Sequence, residues 1–60
     1  MVYTNADLNK FLRALDSAPF EVDDWEAQFV ESNLERTFFT EPQRQAILKM
    51  IEKYGQRLKW

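Results

Sequence analysis

Few side chains in this chain could do covalent chemistry. Ser17 and Ser32 are the only serines, and a serine hydroxyl attacks only when a neighbouring base takes its proton. There is no histidine and no cysteine. That removes the usual base at neutral pH, the thiolate nucleophile and the thiolate metal ligand together. A single glycine leaves no loop able to cradle a phosphate. Carboxylates are more plentiful. Glu21, Asp23, Asp24 and Glu26 lie close together, yet they lack the alternating oxygen ligands around a central glycine that a calcium loop needs. They read instead as negative charge at a helix start, where the helix dipole favours it. Glu31 and Glu35 share a helical face, without the Glu-x-x-His partners of a di-iron bundle. No enzyme activity, metal or cofactor is therefore expected, and the expectation turns to binding.

Charge is divided along the chain. Up to residue 42 nine acids stand against Lys10, Arg13 and Arg36, a balance of −6. From residue 43 onward Arg44, Lys49, Lys53, Arg57 and Lys59 stand against Glu52, a balance of +4. The simplest expectation is a basic last helix packed beside acidic ones. The alternative is a nucleic-acid contact through those five cations, which the net charge of −2 disfavours because such affinity rests on neutralising phosphates.

Three helices must position these groups. Thr4-Asn5-Ala6-Asp7 is a capping box, and Tyr3 and Leu8 have hydrophobic-staple spacing around it. Leu8, Phe11, Leu12 and Leu15 then form one apolar stripe at helical period. Ser17-Ala18-Pro19 stops the helix, since Pro19 disfavours helical geometry in Ala18. The first helix is thus expected over 5–17. After a short extended connector, Asp23 caps a second helix, with Glu26 at the capping-box position. Trp25, Phe29, Val30 and Leu34 would bury its inner side over 24–35. Thr40-Glu41-Pro42-Gln43 combines a Thr cap, Pro in the first turn and Gln at the box position. It opens a third helix carrying Ile47, Leu48, Ile51, Tyr54 and Leu58. That helix runs over 41–54 if Gly55 caps it, or over 41–58 if Gly55 lies inside it. The expectation is an all-α, single three-helix domain over 1–60, as a short bundle or as a helical hairpin plus an N-terminal helix.

A chain of 60 residues buries a modest core and usually needs a disulfide, a metal or a partner subunit to support it. With no cysteine or histidine, self-association as a homodimer is the aid left. No leader-like start is visible, and no apolar run approaches the roughly 18 residues that cross a bilayer. A cytoplasmic location without membrane contact is expected.

Nine aromatics in 60 residues exceed what a three-helix core needs. Phe20, Phe38, Phe39 and Trp60 fall in connectors or at the last position. Some would plug the ends of the bundle, and the rest would anchor an interface, because aromatics dominate binding hot spots. Phe20, Phe38, Phe39 and Trp60, with Arg57 and Lys59, are the candidate protein-binding residues.

The run Asp24-Trp25-Glu26-Ala27-Gln28-Phe29-Val30-Glu31-Ser32, followed by Phe39-Thr40-Glu41-Pro42-Gln43 and Ile47-Leu48, resembles a pattern in small helical proteins of bacteriophage and prophage genomes. It covers roughly residues 22–54. The resemblance implies a phage accessory protein that binds a larger host or phage protein in the host bacterial cytoplasm. Such proteins include inhibitors or adaptors of host machinery, among them anti-CRISPR and other anti-defence proteins. Thr40 to Leu48 is also similar to the opening helix of LuxR-type and sigma-factor helix-turn-helix domains. Major-groove reading would then fall to 7–15 or 24–34, both flanked by acids, so it is not the leading expectation.

Overall fold

Each capping signature starts a helix in the computed structural model, which describes residues 3–60: α1 (Asn5–Asp16), α2 (Asp24–Asn33) and α3 (Glu41–Tyr54). At α1 the box is complete, with the Asp7 amide donating to Thr4 Oγ1 and the Thr4 amide to Asp7 Oδ2. At α2 and α3 the returned bond is made, from the Asp23 amide to Glu26 and from the Thr40 amide to Gln43. These bonds satisfy donors that a helix start otherwise leaves without partners. The described residues contain no strand, and the domain is all-α as expected. None of its helices is long and apolar enough to cross a membrane.

α1 is the central helix. Leu8, Phe11 and Leu12 are completely buried and Leu15 nearly so, and burying each such side chain contributes about 1.5–3 kcal/mol. Both α2 and α3 pack on α1, whereas no Cα of α2 comes within 8 Å of one in α3. The α2–α3 pair is therefore not a helical hairpin; side chains bridge the gap. Two polar clamps fix the arrangement. Asn9 Nδ2 donates to the carbonyls of Leu34 and Arg36 beyond the end of α2, at 2.7 and 3.1 Å. Arg44 on α3 donates to Asn5 Oδ1 and to the Tyr3 carbonyl.

α2 departs from the sequence reading. Its buried residues are Glu26, Val30 and Asn33, not a stripe led by Trp25, which is 62% exposed. The cause is Glu26. Its carboxylate accepts from the Asp23 amide, from Lys53 Nζ and, at 2.6 Å, from the Tyr54 hydroxyl. A carboxylate so satisfied can be buried without a large desolvation penalty. With Glu26, Val30 and Asn33 on the inner face, Trp25 lies about 100° round the helix from Glu26, at the edge of that face.

On α3, Ile47, Met50 and Tyr54 are buried. Leu48, Ile51 and Leu58 are half-buried against the same core, so Met50 takes an inner place expected of Leu48 or Ile51. Gly55 is the C-cap and ends the helix at Tyr54. Its φ of −57° is right-handed, so left-handed geometry does not explain the glycine. Close approach does: a Cβ there would collide with the Ile51 carbonyl oxygen. Beyond it the chain turns back, and Leu58 and Trp60 pack on the core.

Candidate protein-binding surface

The six residues nominated for protein binding have separate fates. Phe39 is 2% exposed and belongs to the core, so it cannot be an interface anchor. Trp60 is half-buried, with its ring edge-on to Phe11 at 5.1 Å and 5.6 Å from Tyr3. It closes the core beside α1 instead of standing free, because the turn after Gly55 directs it back. Phe20 is half-buried and stacks on Tyr54 at 5.5 Å, with the Arg57 guanidinium 4.1 Å above its centre. That contact occupies Arg57. Phe38 remains 67% exposed, and Lys59 is exposed.

The five cations of the nucleic-acid alternative do not form a free basic face. Arg44 is half-buried in its clamp on Tyr3 and Asn5. Arg57 lies on Phe20. Lys53 pairs with Asp23 and Glu26, both at 3.3 Å, as expected for a basic helix beside acids. Its ammonium is held above its ordinary pKa, first by its neighbour Tyr54 and then by Asp23. Lys49 and Lys59 are exposed and form no ion pair among the described residues.

Glu26, Tyr54, Lys53 and Asp23 form a polar cluster that ties α2 to α3. The hydrogen bond to Glu26, then burial, pushes the Tyr54 hydroxyl above its ordinary pKa. A tyrosine that keeps its proton more firmly and a fully paired carboxylate make a structural joint between α2 and α3. Among the described residues no three carboxylates converge to hold a metal ion.

The exposed aromatic that sequence reasoning placed inside is the most distinctive surface feature. Trp25 stacks on Phe29 of the same helix, with centroids 5.4 Å apart and planes 21° from parallel. The i, i+4 spacing brings the two rings together. Phe29 is itself half-buried against the core, so the indole rests on a fixed base. A shallow hollow beside it is lined by Gln28, Phe29 and Ser32. The capping box around Asp23 and Glu26 did not signal this by itself, since the equivalent Asp7 and Gln43 are not buried; the contact with Tyr54 sets Glu26 apart.

The flank of α2 that faces the end of α1 carries a second feature, a groove of about 410 Å³. Its floor includes Leu15, Phe20, Val22 and Val30, and Asp16, Glu21, Asp24 and Glu31 stand around it. No protein family, curated protein or solved structure matches the chain.

Proposed function

We propose that this chain is a non-enzymatic protein-binding module, of the phage accessory type, that docks on a larger protein and acts as an inhibitor or adaptor of a host machine. The observation that carries the reading is Trp25, 62% exposed yet stacked in place on Phe29. An exposed large aromatic is the kind of side chain that anchors interfaces, and a ring already ordered loses little entropy on binding. Phe38, exposed to 67%, is a second exposed aromatic. The resemblance of residues 22–54 to phage proteins supplies the biological setting. The engagement of Arg44, Lys53 and Arg57 inside the fold weighs against the nucleic-acid alternative. A small core with surplus aromatic surface also favours a homodimer.

The test compares the wild-type chain with Trp25→Ala, which removes exposed atoms and leaves the core intact. Light scattering across dilution gives the self-association of each, and affinity capture from bacterial lysate gives the partner. The expected result is a defined partner retained by wild type and lost by the variant, with unchanged helical circular dichroism. Equal capture by both proteins would remove Trp25 from the interface and with it the support for this reading.

A further inference from the structure

The geometry points to the α1–α2 groove as a docking site for a basic, apolar-faced segment of a partner protein. The groove lies on the other flank of α2 from the tryptophan platform: Ala27 and Glu31 on its wall are roughly 200° round the helix from Trp25 and Phe29. Its occupant follows from charge and shape. Leu15 and Val30 are buried, and Phe20 and Val22 half-buried, in its floor. Asp16, Glu21, Asp24 and Glu31 are all exposed on its rim, and none forms an ion pair among the described residues. A site of this kind favours side chains with an apolar stem and a cationic head, as lysine and arginine have. The stems lie along the floor while the heads meet the rim, and the rim carboxylates also steer a cationic partner inward.

A second copy is the weaker occupant: of the five cations after residue 43, Arg44, Lys53 and Arg57 are engaged by groups of the same chain, which leaves Lys49 and Lys59. The inference rests on reading the chain as a binding module, but it uses a face that the Trp25 test does not touch. A failure here would leave Trp25-dependent capture as it stands, and the reverse also holds.

The experiment titrates the isotope-labelled full chain with a synthetic amphipathic lysine–leucine peptide, and with a glutamate–leucine peptide of the same pattern, at several salt concentrations. Amide shifts confined to Leu15, Ala18, Ala27 and their neighbours, seen with the basic peptide alone, are expected. Asp16→Asn/Glu31→Gln should weaken binding about fivefold, the size of two exposed charge pairs. The charge-matched control Glu35→Gln/Glu52→Gln should change it by less than about twofold. Shifts scattered over every acidic surface, or equal losses in the two double variants, would overturn the proposal as mere net-charge attraction. Concentration-dependent shifts of the same amides without peptide, with a dimer mass, would overturn it in favour of a second copy.

Discussion

At the scale of single residues, one carboxylate decides the arrangement of α2. Glu26 receives a backbone amide, a phenol and an ammonium, and with it on the inner face Trp25 lies at the edge of that face. The same contact has a consequence at alkaline pH. Tyr54 is held above its ordinary pKa by its bond to Glu26 and by burial, and Lys53 is raised by Tyr54 and Asp23. In the range above about pH 10, where an unfolded tyrosine gives up its proton, the folded chain still holds both protons. Folding then binds more protons than unfolding, so stability falls as pH rises. This contribution is complete below about pH 10 and disappears as pH passes through the folded-state values. Urea unfolding measured at increasing pH should show a decline beginning there, and Tyr54→Phe should reduce its slope. An unchanged slope in the variant would show that Tyr54 does not carry the effect. Little of this was legible in advance. Spacing marks Asp23 and Glu26 as a capping box, but the partner that makes Glu26 worth burying lies 28 residues away.

At the scale of elements, caps carried most of the readable information, because a cap is a local bargain between neighbouring groups. All three helix starts lie where Thr4, Asp23 and Thr40 placed them. The inner faces were legible only where the apolar stripe is strong. α1 buries Leu8, Phe11, Leu12 and Leu15 as its period requires. α2 offers nearly balanced faces, and tertiary partners chose between them. Gly55 illustrates the limit at helix ends: sequence permits it as a cap or as an interior residue, and in the structure it is the cap, closely packed on the Ile51 carbonyl. That packing makes a prediction with an unusual sign. Gly→Ala at a right-handed position normally stabilises by reducing the freedom of the unfolded chain, by about 0.4–1 kcal/mol. Here the added Cβ meets the Ile51 carbonyl oxygen, and overpacking of this kind costs about 1–3 kcal/mol. Gly55→Ala should therefore lower the urea midpoint with an unchanged slope. A raised midpoint would mean that the end of α3 shifts freely and that the turn after it is not fixed.

At the scale of the whole molecule, the question is how so short a chain closes its core. α1 is flanked by α2 and α3, which leaves the rings of Phe11 and Tyr3 to be covered by something other than a fourth helix. Trp60 covers them, edge-on to Phe11 and against Tyr3. The surplus of aromatics thus divides into two groups that composition could not separate. Phe39, Phe20 and Trp60 complete the domain, while Trp25 and Phe38 remain exposed. The two groups should respond in opposite ways to truncation. A domain of this size has a total stability of only about 3–9 kcal/mol. Removing a partly buried tryptophan should cost about 2 kcal/mol, below the range for a fully buried one, and each kcal/mol lowers the Tm by about 4–8 °C in so small a domain. Trp60→Ala should therefore lower the Tm by about 8–16 °C, whereas Trp25→Ala should leave it nearly unchanged. Thermal unfolding followed by circular dichroism measures both. If Trp25→Ala proved the more destabilising of the two, the indole would be serving the fold, and the partner surface would have to be sought around Phe38 and the acidic groove instead.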